Sequence, residues 1–244
     1  MTMAAMRHWP LPDTHNIRDL GGYARSSGGT TQWSRILRGE ALHYLSRQSA
    51  TELAEHDLTL VIDLRGPHET TVTPHPFRDH ATVSYRNIVL FDALAPIEMT
   101  QTPFDMARRY CDALDTCGPQ VAEVLRAIIH APPGIVLFHC TAGKDRTGII
   151  AALLLLVAGV ARADIVSDYA LTAEAHGLIG KLRERALEAG GQPEHIDSVL
   201  ASDAATMTSM LDHLDTERGG TQAYLAEIGL TSAELFRLVD RLCA

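Results

Sequence analysis

The sequence predicts an α/β fold, a central and mostly parallel sheet flanked by helices, and three observations carry that expectation. Residues 134–158 run as strand, loop and helix: a short apolar run at 135–138 follows Pro132-Pro133-Gly134, and a longer one rich in helix formers starts at Ile149. Residues 58–64 are a further apolar run of strand length, and 84–90 read as another strand. Helical stretches at 106–111 and 121–130 separate those strands from the central one, and alternation of this kind builds α/β folds.

At 244 residues the chain fits one domain, 1–244, with room for an inserted subdomain and a large core. Residues 10–23 are a turn-rich opening with little periodicity. Residues 21–37 read as a hairpin around Ser26-Ser27-Gly28-Gly29, with Trp33, Ile36 and Leu37 as its apolar positions. A helix is expected over 49–56, capped by Ser49 or Thr51. The strand at 58–64 ends in Asp63-Leu64-Arg65. Pro67, Pro74 and Pro76 make residues 67–80 a loop and not a helix. Tyr110, Cys111 and Cys117 read as packing residues. After the core helix, residues 164–172 begin another, and 173–215 are helical, charged in blocks and broken at Gly190-Gly191-Gln192-Pro193. This last stretch is expected to form a helical lid or insertion. Thr231 followed by Glu234 is a capping box for a final helix.

The formal charge of −9 disfavours non-specific binding to nucleic acid or to an anionic membrane, so any phosphate recognition must come from a local basic pocket. Cys111, Cys117, Cys140 and Cys243 are spaced neither as a zinc site nor as a disulfide framework, and His68, His75 and His80 lack metal-ligand spacing. No metal is expected. A reducing cytoplasm is the default compartment and keeps a thiol usable. The N-terminal residues carry no secretory pattern, although export by a dedicated system stays open. Residues 149–161 fall short of the roughly 20 needed to span a bilayer, so no stable membrane insertion is expected.

The chemistry concentrates in His139-Cys140-Thr141-Ala142-Gly143-Lys144-Asp145-Arg146-Thr147-Gly148. A loop that opens a helix turns successive backbone N–H groups into one concavity, where the helix dipole adds positive charge, and this binds anions such as phosphate. Thr141, Ala142, Gly143 and Lys144 supply that backbone. Cys140 stands at its entrance, where a helix N-terminus and cationic neighbours favour the thiolate form of a cysteine. Arg146 offers a planar fork for two phosphate oxygens. Thr147 is placed to bring a hydroxyl near the sulfur, and Gly143 and Gly148 permit the tight turn. A nucleotide-binding P-loop is excluded by spacing, because Asp145 and not Ser or Thr follows Lys144. A buried structural cysteine is the plain alternative, but it needs no flanking Lys-Asp-Arg.

This stretch resembles the Cys-x5-Arg phosphate loop of cysteine-dependent protein tyrosine phosphatases, most of all the bacterial branch called tyrosine phosphatase family 3. Asn16-Ile17-Arg18-Asp19-Leu20-Gly21-Gly22, Val61-Ile62-Asp63-Leu64-Arg65, Asp168-Tyr169-Ala170-Leu171-Thr172 and the Gly219-Gly220 to Gly229-Leu230 segment resemble the same branch. The resemblance implies a phosphatase-like fold and hydrolysis of phosphate monoesters through a phosphocysteine on Cys140, with no metal or organic cofactor. The substrate it implies is a phosphorylated protein, at phosphotyrosine and often also phosphoserine or phosphothreonine, or a phosphoinositide. Asp63, Arg65 and Glu69 would then brace or extend the phosphate site, the alternative being an ion-pair cluster at a strand end. For the general acid, the branch points to Asp145; better-known phosphatases carry theirs after a strand near Asp92, although the usual Trp-Pro-Asp sequence is missing there. Lys144 either meets a second phosphate, as in phosphoinositide-handling loops, or only raises the local potential. Two other classes remain as alternatives: a catalytically silent phosphate-binding module, and a rhodanese-like or arsenate-reductase-like cysteine enzyme. Oligomeric state is not specified by any of these features.

Overall fold

A computed structural model describes residues 6–9, 11–90 and 104–243. Five strands form one sheet: β1 (Arg18–Asp19), β2 (Ile36–Gly39), β3 (Leu58–Asp63), β4 (Ser84–Asn87) and β5 (Ile135–His139). Their order is β1-β2-β5-β3-β4; β2, β5, β3 and β4 are parallel and only β1 runs antiparallel, against β2. The expected mostly parallel sheet is therefore present, with the apolar strand of the Cys140 segment at its centre.

Successive side chains of a strand face opposite sides of the sheet, and the burial follows that alternation. Val136, Phe138, Ile36, Leu60 and Ile62 join one core, whereas Ile135, Leu137, Leu37 and Val61 join the other. Leu58 breaks the pattern by sharing the second core although it lies two residues before Leu60. The pairing of β3 with β5 shifts register between those two residues, and this irregularity turns Leu58 over.

Eleven α-helices occur among the described residues, and none of the described helices is long and apolar enough to cross a membrane. α1 (Arg47–Glu55) covers the second core through Leu53. It starts earlier than expected, because Ser46 caps it and accepts the amide of Ser49 at 3.1 Å. α2 (Pro67–Val72) is a helix where the prolines predicted a loop. Pro67 sits in the first turn, where a missing N–H costs nothing, and Glu69 accepts the amide of Gly66 at 2.8 Å. The stretch at 21–37 is a turn-rich loop with one antiparallel bridge, Ala24 to Thr30, instead of a full hairpin.

The first core is filled by α3 (Met106–Thr116), α4 (Gly118–Ile129), α5 (Asp145–Val157), α6 (Arg162–Ala170), α9 (Ala204–Glu217), α10 (Thr221–Glu227) and α11 (Ser232–Cys243). α5 is buried along almost its whole length from Arg146 to Leu155, as the apolar run that starts at Ile149 requires of most of it. The Thr231–Glu234 box precedes α11 as expected, the Glu234 amide donating to Thr231 Oγ1 at 3.2 Å and the Thr231 amide to Glu234 Oε2 at 2.8 Å.

The stretch 173–215, expected as one insertion, divides into parts with different packing. α7 (His176–Glu188) and α8 (Pro193–Leu200) share a small separate core of Leu178, Leu182, Ala186, Ile196 and Leu200, which touches the sheet domain at Ala142. α9 instead buries Met207, Met210, Leu211 and Leu214 in the first core. Only α7 and α8 thus form a unit apart. Met210→Ala should cost about 2–5 kcal/mol of unfolding free energy in a urea titration. Ile179→Ala, a half-buried position on α7, should cost about 1 kcal/mol or less.

Candidate active site

The loop 140–144 leaves the carboxyl end of β5, the edge at which open α/β sheets bind ligands. Four successive carbonyls of this loop are held from behind. Cys140 O accepts from His139 Nδ1 at 3.0 Å, Thr141 O from the Ala41 amide at 3.1 Å, Ala142 O from Asn16 Nδ2 at 2.8 Å and Gly143 O from Arg38 Nη2 at 2.8 Å. In a trans peptide the N–H points opposite to the C=O, so the amides of residues 141–144 are turned toward the front of the loop. Gly143 has φ 68°, and a Cβ there would lie 2.5–2.7 Å from the backbone of Gly39 and Glu40. A side chain at this position would push the loop off its support.

The support is itself an ionic network. Asp168, on α6, accepts from Arg18 Nε at 3.1 Å, from Tyr23 OH at 2.9 Å and from Arg38 Nη1, and all three charged groups are buried. Burial would raise the Asp168 carboxyl, but the two guanidinium groups hold it well below the ordinary carboxylate range. Burial, with repulsion from Arg38, pushes Arg18 down to about 10. Asn16 connects this network to the loop, since its Oδ1 accepts from Arg18 Nη1 while its amide nitrogen holds Ala142 O.

On the front, Cys140 and Arg146 line one cavity of about 290 Å³ with Thr141, Ala142, Lys144 and Asp145. Cys140 is 2% exposed. Arg146 forms a two-pronged pair with Glu69, Nη1 to Oε2 at 2.5 Å and Nη2 to Oε1 at 2.9 Å, and Thr141 Oγ1 donates to the same carboxylate. Burial would raise Glu69, but the bonds from Arg146 outweigh it and carry the group down to about 2. Arg146 Nε is buried without a hydrogen-bond partner among the described residues, as is Thr147 Oγ1. The expected approach of the Thr147 hydroxyl to the sulfur is therefore not formed as a hydrogen bond.

Lys144 is 1% exposed, and its ammonium donates to Ala201 O at 2.9 Å and to Val199 O, two carbonyls at the C-terminal end of α8. It also lies 3.3 Å from Asp145 Oδ1. Asp145 opens α5 and is partly exposed on the cavity wall, and it accepts from Tyr110 OH at 2.7 Å. Tyr110, read from sequence as a packing residue, is thus also a polar partner of the loop. Its isolated place in an apolar helix face gave no sign of this. Asp92 lies outside the described residues.

Asp63 and Arg65 are placed behind the loop, not on the cavity wall. Arg65 Nη2 meets Asp63 Oδ2 at 2.8 Å and its Nη1 donates to Thr73 Oγ1 at 2.8 Å, so the two form the ion pair at a strand end that was the alternative reading, and neither lines the cavity. Glu69, grouped with them in the sequence, is the member that reaches the cavity. Asp63, His75 and His139 bring one ligand atom each within 4.8 Å of one another, an arrangement that sequence spacing did not show. Their chemistry does not suit a metal. The Asp63 oxygens already accept from Arg65 and Tyr85, and His75 Nδ1 accepts the Phe77 amide at 3.0 Å, which leaves the proton on Nε2 of the neutral ring. Burial pushes His75 down to about 2, which keeps that ring neutral.

The remaining walls come from α7 and α8, through Ile179, Leu182, Arg185 and Leu200, and from α3, through Met106 and Arg109. Arg109 stacks its guanidinium over Phe104 at 5.6 Å, and Arg185 Nη1 donates to Tyr44 OH at 3.0 Å. Neither arginine was singled out in the sequence, because each reaches the site from a distant helix.

Residues 9–244 match the family described as the tyrosine phosphatase family. A tyrosine-protein phosphatase of Nostoc commune is 37% identical over 219 residues, which are 85% of this chain and 74% of the relative. The triple specificity protein phosphatase PtpB of Mycobacterium tuberculosis is 30% identical over 269 aligned positions, covering 93% of this chain and 96% of the relative. Among solved structures, P. aeruginosa TpbA aligns with a TM-score of 0.40 at 17% identity, over 77% of this chain and 99% of its own.

Asp168→Ala leaves two buried arginines without their anion and should cost about 3–5 kcal/mol in chemical denaturation. Glu69 has the opposite economy of pH to a raised group. Its value falls from 4.5 to about 2 on folding, so its contribution is complete above the unfolded value and is lost as pH falls from about 4.5 toward 2. The stability difference between wild type and Glu69→Gln, measured by urea midpoints, should be constant near neutral pH and shrink through that acid window.

Proposed function

The chain is an enzyme of the tyrosine phosphatase family, and on that premise we propose that it hydrolyses phosphotyrosine in two steps through a phosphocysteine on Cys140. The observation that carries this reading is the convergence of Cys140, the Arg146 fork and four outward-braced peptide units on one cavity. In the first step the Cys140 thiolate attacks phosphorus while the bond to the tyrosyl oxygen breaks, and the Asp145 carboxyl gives its proton to that oxygen. In the second, the Asp145 carboxylate takes a proton from water, the hydroxide so formed attacks phosphorus, and the P–S bond breaks to return the thiolate and release phosphate. The loop amides and Arg146, whose Nε is a buried donor without a partner among the described residues, meet the equatorial oxygens, where preorganised donors contribute most. Glu69 keeps the guanidinium plane fixed.

Asp145 is preferred to Asp92 as the acid because it stands on the same cavity wall as Cys140. In this reading α7 and α8 act as a lid, which their place on the cavity wall and their packing in a small core of their own support. Arg109 and Arg185 on the cavity wall favour a second anionic group on the substrate, which supports the wider range of phosphoserine, phosphothreonine and phosphoinositide substrates. Lys144 supports it less, being engaged by α8. A cytoplasmic setting belongs to the same reading, because the nucleophile works only as a reduced thiol.

Wild type should hydrolyse p-nitrophenyl phosphate, and Cys140→Ser should lose more than about 10³-fold in kcat. Acid quench during turnover followed by mass mapping should find phosphate on Cys140. Phosphotyrosine that binds without turnover would instead identify a silent module.

A further inference from the structure

The acid assignment rests on Asp145, and the surroundings of that carboxyl reach further than its place in the loop. Tyr110 projects from α3 and is 0% exposed. Its hydroxyl lies 2.7 Å from Asp145 Oδ1 and 3.0 Å from the hydroxyl of Tyr169, on α6, whose ring it meets edge-on at 6.0 Å. Lys144 Nζ approaches the same Oδ1 at 3.3 Å. A phenol donor and a nearby positive charge therefore converge on one oxygen of the carboxyl.

We infer that Tyr110 is a positioning residue for the acid: by holding Asp145 Oδ1 it assigns the transferable proton to Oδ2 and fixes the carboxyl plane on the cavity wall. The chemistry behind this is a matter of counting protons. A phenol has one, and Tyr110 spends it on Asp145, so Tyr169 donates to the oxygen of Tyr110. An oxygen that accepts a phenol proton and faces an ammonium at 3.3 Å is the less basic of the two, so a proton goes to the other. When Asp145 carries its proton before the first step, that proton sits on Oδ2; when it has given it up, Tyr110 and Lys144 still hold the carboxylate for the second. Burial pushes both phenols up, so they remain donors throughout. The relay Tyr169 to Tyr110 to Asp145 crosses from α6 to α3 to the phosphate loop, and hydrogen bonds in such a chain polarise one another.

The inference rests on Asp145 as the general acid, and one experiment separates the two. Acid catalysis matters for a poor leaving group and little for a good one, so kcat/KM is compared for phenyl phosphate and 2,4-dinitrophenyl phosphate in Tyr110→Phe, Tyr169→Phe and Asp145→Asn. Tyr110→Phe keeps the ring and its packing. It should lower kcat/KM for phenyl phosphate about 10- to 100-fold while changing the dinitrophenyl ester by less than about threefold. Tyr169→Phe, which touches only the far end of the relay, should show the same bias at about two- to fivefold. An equal loss on both esters in Tyr110→Phe marks a merely structural role and overturns the inference, and so does no loss on either. If Asp145→Asn shows the leaving-group bias and Tyr110→Phe does not, the inference fails alone; if Asp145→Asn lacks it, the acid assignment fails and takes the inference with it.

Discussion

Four backbone carbonyls pinned on one side of a short loop are what the rest of this site depends on. A peptide unit cannot point both its dipole ends at a ligand, so an anion pocket built from amides needs something behind it to hold the carbonyls. Here the holders are His139, the Ala41 amide, Asn16 and Arg38. Two of the four are side chains that depend on Asp168, directly for Arg38 and through Arg18 for Asn16. A buried ion network is seldom a strong source of stability in itself, because desolvation offsets most of its attraction. Its value in this protein lies in geometry: the loop can adopt only the conformation that the network accepts.

The same logic explains the front of the loop. Arg146 must keep its fork flat and aimed, and Glu69 does this from α2 with two parallel bonds. Glu69 can serve because Pro67 starts a helix directly after β3 and the Gly66 amide binds Glu69 Oε2. The loop and the first turn of α5 are thus held by Arg38 of β2, Asn16, Glu69 of α2 and Tyr110 of α3, with Asp168 of α6 behind Arg38, while Cys140 and Arg146 come from the loop segment itself. α7 and α8 line the other side of the cavity, and the C-terminal carbonyls of α8 take up the loop lysine. Placing a cation at the negative end of a helix is favourable, and it joins α8 to the loop 140–144 by a polar contact.

Much of this was legible in the sequence. The strand–loop–helix reading of 134–158, the strand β3 and the helices α3 and α4 all follow from local patterns, because each is a consequence of where apolar residues repeat. α2 was missed because three prolines outweighed the one feature that admits a helix, a proline in its first turn. The N-terminal Asn16 to Gly22 segment and Asp168 were singled out by resemblance, and the structure supplies the reason: they are two ends of one buried network, 150 residues apart.

The residues of the loop were legible in the sequence alone, since Cys140, Gly143 and Arg146 lie close together and their spacing is itself the signal. The partners of those residues were decided only by tertiary structure. Tyr110 reads as a packing residue of α3, and the sequence leaves Asp63 and Arg65 open between bracing the phosphate site and pairing at a strand end; Asp145 as the partner in one case and each other in the second depend on how α3 and the end of β3 are packed against the loop. Side-chain hydrogen bonds of this kind join segments tens of residues apart, and no periodicity in a linear chain encodes which distant donor will meet which acceptor. The loop that binds the anion is local, whereas the frame that aims it is global.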